Sequence, residues 1–173
     1  MDDFESGMYF IMEPREEICK IETTYLYGRV KNVGTKTVDY IRIRNLNQSN
    51  LTLAWIEAKT TFAKPKSSGF DAAIDDVVKK FVHSLELFAS VMMNKILDDK
   101  SELEKFRHIY ETASFQMILV VKTHKYEWLS RVQDALQSKL TRHCKIWNIE
   151  PNKDILVFNE EGAAQHQLIR KPI

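Results

Sequence analysis

The chain has 173 residues, 44% of them apolar, with only five glycines and four prolines, so it can bury a core and is not a disordered segment. Its formal net charge is +1, which excludes a uniformly basic nucleic-acid sponge and leaves any anion to be drawn by local patches. Cys19 and Cys144 are isolated and without CxxC spacing, which argues against a zinc site or a disulfide framework and for two reduced thiols.

The start, MDDFESGMYF, lacks a basic segment followed by an apolar run, so it does not read as a signal peptide. No apolar stretch approaches the roughly 18 residues that cross a bilayer. A cytoplasmic protein without a membrane partner is expected, folded as one domain over residues 1–173 with its core at about 15–160.

Taken in chain order, Ile18, Ile21, Tyr25 and Val30 support a helix with Glu16, Glu17 and Glu22 near its start, broken by Asn32–Thr35. The period then changes. Thr37–Arg44 alternates Val and Ile with Asp and Arg, as a strand does. NLNQSN, residues 45–50, is turn chemistry, and LTLAWIEAKTTF, residues 51–62, is a second, buried strand, so the pair predicts an antiparallel hairpin.

Pro65 and Gly69 end that strand, and Asp71–Leu97 is a long helix with its apolar stripe at Ile74, Val78, Phe81, Leu85, Phe88, Met92 and Ile96. Asp75, Asp76, Lys79, Lys80 and Glu86 lie off that stripe. Ser101 and Glu104 read as a capping box for a short helix. FQMILVV, residues 115–121, is a strand buried on both faces. Glu127–Leu140 is a helix, Ile155–Phe158 a buried strand and Glu160–Gln167 a weak last helix. The order predicts an α/β fold: a mixed central sheet whose antiparallel hairpin carries the site, with helices on both faces.

Glu57 and Lys59 stand two apart at the end of an apolar strand, so both side chains leave the same face. Burying such charges is expensive unless they are paired or bound to metal. Asp39 stands on the neighbouring strand. Along an antiparallel ladder paired positions share one midpoint, and the midpoint of 39 and 57 is Gln48, the middle of NLNQSN. Two carboxylates and a lysine at a sheet edge suit Mg²⁺ or Mn²⁺ and hydrolysis at phosphorus. The competing reading is a salt bridge at a strand end.

Asp39, a hairpin, then Glu57-Ala58-Lys59 resembles the PD-(D/E)XK nuclease superfamily, over about residues 15–125. The resemblance implies a restriction-endonuclease-like domain and a Mg²⁺- or Mn²⁺-dependent nuclease that hydrolyses phosphodiesters, with DNA the expected substrate. Asp39, Glu57 and the Ala58 carbonyl would be metal ligands, Lys59 the catalytic lysine, and Glu22 the helix glutamate, with Glu17 or Glu16 as substitutes. It also implies a homodimer. Val38 stands where the family name has proline.

Asp98-Asp99-Lys100 has the same triplet but no apolar strand before it. The alternative function is an inactive nuclease-fold protein that binds nucleic acid or another protein. The five histidines show no metal spacing, and His124 reads as a residue of a solvated loop. Two basic clusters suit phosphate backbones: Lys31, Lys36, Arg42 and Arg44 with Lys64 and Lys66, and Lys122, Lys125, Arg131, Lys139, Arg142 and Lys145.

Overall fold

In a computed structural model, residues 2–14, 17–47, 50–96 and 102–171 are described. Glu16, Gln48, Leu97, the Asp98–Lys100 triplet and the capping serine Ser101 lie outside them.

The sheet has five strands in the order β3-β4-β5-β6-β7: Ile18–Lys20, Tyr40–Asn47, Asn50–Lys59, Ser114–Val121 and Ile155–Phe158. The first three are antiparallel, and β5, β6 and β7 are parallel, so the sheet is mixed as the element order predicts. From Tyr40↔Ile56 to Asn45↔Leu51 every β4–β5 pair shares the midpoint 48, and the register shifts only next to the turn. The same register, continued one step, sets Asp39 against Glu57.

Parallel strands need long connections, and two long helices supply them. Helix α2, Phe70–Met92, joins β5 to β6, and α3, Tyr126–Trp147, joins β6 to β7. Both pack on one face of the sheet, against Ile41, Leu53, Trp55, Met117, Leu119 and Val121. Trp55 lies at the centre of that core, edge-on to Phe88 with ring centroids 5.3 Å apart.

The opposite face buries Tyr40, Ala54, Ile56, Ala58, Ile118 and Val120 under a smaller cover. That cover comprises Met8 and Phe10, from a hairpin of β1, Asp3–Glu5, and β2, Met8–Phe10, together with Ala163 of helix α5, Glu160–Gln165. Helices therefore lie on both faces. Two short helices complete the fold, α1 at Tyr25–Val30 and α4 at Pro151–Asp154.

Several local expectations differ from the structure: the second strand ends at Lys59 and not Phe62, and α3 runs past Leu140 to Trp147. Ile18–Val30 is not one helix: Ile18–Lys20 is taken as a β-strand on the sheet edge, Ile21–Thr23 is a 3-10 turn, and the helix starts only where the Thr24 hydroxyl accepts from Tyr27 N–H. Pairing with β4 overrides the local helical period there. Glu102–Phe106 is a 3-10 helix. The N-terminal hairpin was unannounced because its strands are three residues each and turn at Ser6 and Gly7, both with positive φ (51° and 79°). Gly7 suits that conformation; Ser6 adopts it at some steric cost.

Candidate active site

The site begins with strand parity. On β5, Leu53, Trp55, Glu57 and Lys59 alternate onto the α2 face, so the carboxylate and the ammonium continue the row of core residues. Glu57 is fully buried, at 0% exposure, and Asp39 is also buried. Burial and sheet geometry therefore bring together two of the expected ligands.

Asp39 is held on all sides by backbone. Its N–H donates to the Ile56 carbonyl (3.1 Å), and its carbonyl accepts from Ile21 N–H (3.0 Å). Its Oδ2 accepts from Ala58 N–H at 2.7 Å. Among the described residues its Oδ1 accepts no hydrogen bond. Burial, then the neighbouring Glu57 charge, pushes the Asp39 carboxyl up to about 7, against the opposing pull of the Ala58 N–H and Lys80.

Glu57 meets two ammoniums. Lys80 Nζ lies 2.8 Å from Oε1 and donates to Oε2 at 3.0 Å, and Lys59 Nζ lies 3.2 Å from Oε1. Oε1 nevertheless receives no well-aligned hydrogen bond in a position closed to water. Burial raises the Glu57 pKa, and the two lysines oppose that rise. For Lys80, burial works toward neutrality, but the Glu57 charge wins and its pKa is raised.

Lys59 also reaches Asp76 Oδ2 at 3.3 Å, and Asp76 in turn pairs with Lys36. Burial acts to raise the Asp76 pKa, but its bonds to Lys36 and Lys59 leave it below the ordinary aspartate value.

Sequence reasoning missed Asp76 and Lys80 as members of the site. They lie off the apolar stripe of α2, which by itself gives them no place in the site. The available signal was their spacing of four, which stacks them on one helix face, in register with Ser84. That row faces the approach to β4: Ser84 Oγ accepts from Val38 N–H at 2.9 Å, and His83 Nδ1 from Lys36 N–H at 3.2 Å.

Glu22 is exposed on its 3-10 turn. Its neighbour Ile21 ties that turn to the Asp39 backbone, but no bond or ion pair joins Glu22 to Glu57 or Lys59. Ala58 points its side chain to the opposite face, and its carbonyl accepts from Ser6 Oγ at 3.0 Å. The hairpin turn thus closes one side of the site, where Lys122 Nζ donates to the Gly7 carbonyl at 2.6 Å.

Among the described residues no three His, Cys, Asp or Glu side chains converge as a metal-holding group. The donors that fit a hard cation are two carboxylates and one carbonyl, all oxygen, with the unbonded Asp39 Oδ1 and the unsatisfied Glu57 Oε1 among them. That set suits Mg²⁺ or Mn²⁺, which are completed by water and phosphate oxygens.

Several basic residues are committed elsewhere. Arg42 and Arg44 leave the other face of the sheet, where Arg42 donates to the Gln167 carbonyl (3.2 Å) and Arg44 to Gln116 Oε1 (2.7 Å). Lys139 pairs with Asp75. His124 is not solvated: it is buried, edge-on to both Phe62 and Trp128, and burial lowers its pKa.

Neither protein-family models, curated proteins nor solved structures give a match to this chain. No helix among the described residues is long and apolar enough to cross a membrane.

Proposed function

We propose that this chain is a divalent-metal-dependent nuclease hydrolysing phosphodiester bonds, with DNA as substrate. The observation that carries the reading is the pair Asp39 and Glu57: two buried carboxylates side by side, one raised to about 7 by burial and by the other's charge. Buried like charges are unfavourable for the fold alone and are relieved by a cation.

Asp39, Glu57 and the Ala58 carbonyl would hold Mg²⁺ or Mn²⁺, which supplies Lewis acidity toward a phosphate oxygen and a more acidic water. The chain's own groups do the rest. The Ala58 N–H orients Asp39 by its 2.7 Å bond to Oδ2 and leaves Oδ1 free. Lys80 fixes Glu57 from the helix side. Lys59, at the open side and about a quarter exposed, is placed to orient water and to stabilise charge developing on phosphorus. Asp76 restrains the Lys59 ammonium through their 3.3 Å ion pair.

Lys59→Ala tests the reading, with circular dichroism checking the fold, because its side chain is a quarter exposed and Glu57 keeps Lys80 as a partner. Cleavage of DNA in Mg²⁺ or Mn²⁺ is expected to fall at least ~100-fold, as removing one electrostatic stabiliser does. Parental cleavage by that variant would overturn the assignment.

One observation favours a second reading. Lys80 Nζ, 2.8 Å from Glu57 Oε1, already neutralises the carboxylate that a metal would use. A non-catalytic nucleic-acid-binding or protein-interaction module would be built this way. Mn²⁺ titration separates the two: binding tighter than millimolar that is lost in Asp39→Ala supports the nuclease, and its absence supports the module.

A further inference from the structure

Strands β5 and β6 are parallel neighbours, so their C-terminal ends open at the same edge of the sheet. Lys59 pairs with Val121, and just beyond it Thr60 accepts from Thr123 N–H (3.2 Å) and Oγ1 (2.9 Å). The two chains then diverge, one toward Phe62 and Lys64, the other toward His124, Lys125 and the first turn of α3. Lys64 lies five positions beyond Lys59, a span of at most about 18 Å.

There the side chains gather around one indole. Lys64 Nζ lies 5.7 Å from the Trp128 ring centroid, and Lys125 Nζ 5.3 Å from it. Trp128 is backed by the buried His124 ring, 5.1 Å away and edge-on, which itself abuts Phe62. Tyr126, in the same turn of α3, is 84% exposed. Neither Lys64 nor Lys125 pairs with a carboxylate among the described residues, so each ammonium has an aromatic face for a neighbour, a weaker partner than a phosphate. Glu127 is the acidic residue of that turn.

We infer that Trp128, Tyr126, Lys64 and Lys125 form a stacking platform for single-stranded nucleic acid leading to the Asp39–Glu57–Lys59 site. The inference rests on the nuclease reading for its direction, and it narrows the substrate class to an unpaired strand or strand end. A π-face takes any base by stacking, and the flanking ammoniums then meet the phosphates on either side of that base. A duplex hides its base faces, so it offers this platform only the phosphates.

Fluorescence anisotropy of the full chain with a labelled oligothymidylate of about 12 nucleotides, within the span such grooves cover, tests this in EDTA. A duplex of equal length is the comparison. The single strand is expected to bind at least ~10-fold tighter than the duplex, and Trp128→Ala to weaken it ~5-fold or more. Trp128→Phe, which keeps a ring and guards against misfolding, is expected to restore most of the affinity. Lys64→Ala and Lys125→Ala are each expected to lower the slope of log affinity against log salt by about 0.7. Lys139→Ala, on α3 but paired with Asp75, is the control and leaves that slope unchanged.

Equal affinity for duplex and single strand, parental affinity in a folded Trp128→Ala, or no binding up to about 100 µM at low salt would each overturn the inference. Because EDTA removes catalysis, the two readings fail separately. Trp128-dependent binding without cleavage in Mg²⁺ or Mn²⁺ retains the platform and removes the nuclease. Duplex cleavage indifferent to Trp128 does the reverse.

Discussion

Two ionic clusters flank the start of β4, and their lysines are almost equally exposed: Lys20 at 22% and Lys80 at 19%. Their anions are not alike. Lys20 pairs with Asp3 at 2.6 Å and Glu5 at 3.4 Å, both about a third exposed, and Tyr40 donates a further bond to Asp3 at 2.7 Å. Lys80 pairs with Glu57, which has no exposure, beside a second buried carboxylate. The first cluster is what a sheet edge needs to fasten a hairpin. The second sets two buried carboxylates, Asp39 and Glu57, beside two lysines, Lys59 and Lys80. Burial first, and the Glu57 charge second, raise the Asp39 carboxyl there to about 7.

Matched substitutions at the two lysines test the contrast. Lys80→Met leaves Glu57 with Lys59 alone, and removing one partner of a buried pair typically costs about 3 kcal/mol. Thermal unfolding without divalent ions should show a Tm lowered by roughly 6–12 °C, since about 2–4 °C accompanies each kcal/mol at this size. Mn²⁺ should return part of that loss by binding the folded form. Lys20→Met should lower Tm by no more than ~4 °C, as expected for a partly exposed pair. Equal losses would show that the two clusters do the same work.

Asp39→Asn gives the next largest effect, and its sign follows from linkage. An aspartate raised to about 7 in the fold binds a proton that the unfolded chain releases near 4. The folded state is therefore favoured at low pH, and stability declines as pH climbs from about 4 to about 7. Asparagine keeps an acceptor for the Ala58 N–H and removes the charge. Metal-free urea titrations should find the variant more stable than the parent above pH 7, on the order of 2 kcal/mol, and the two equal near pH 4. A parent whose stability is flat between those values would contradict the crowding of Asp39 and Glu57.

The central hairpin was legible because strand parity and register are arithmetic: a single midpoint at residue 48 places Asp39 opposite Glu57 before any coordinate is known. The parallel half was legible as strands because FQMILVV and ILVF are apolar and short, but only FQMILVV is an inner strand: ILVF lies at the sheet edge, with Leu156 and Phe158 partly buried. Residues contributed by packing were not legible. Asp76 and Lys80 join the site because α2 lies against the end of β5, and a helical stripe read alone assigns its polar side to water. Ser6 and Gly7 reach Ala58 and Lys122 across more than fifty residues of chain, from strands too short to leave a period. His124 is buried where Phe62, beyond the end of β5, and Trp128, in the first turn of α3, meet its ring.

Asp3→Asn has the smallest expected effect and the opposite pH dependence. Burial acts to raise the Asp3 pKa, but the bonds from Lys20 and Tyr40 leave it lowered. A depressed carboxylate stabilises the fold above its unfolded pKa, near 4, and that contribution fades as pH falls through the lower folded value. Because Asp3 is about a third exposed, solvent screening holds the gain to ~0.5–1 kcal/mol. Asp3→Asn should therefore lose that much at pH 7, converge with the parent below about pH 3, and respond to salt. Asp39→Asn, shielded from water, should gain stability at pH 7 and respond little to salt. The two aspartates, one on each side of Tyr40, would then titrate the same fold in opposite directions. That opposition separates a carboxylate bonded to Lys20 and Tyr40 at the surface from one raised by burial beside Glu57.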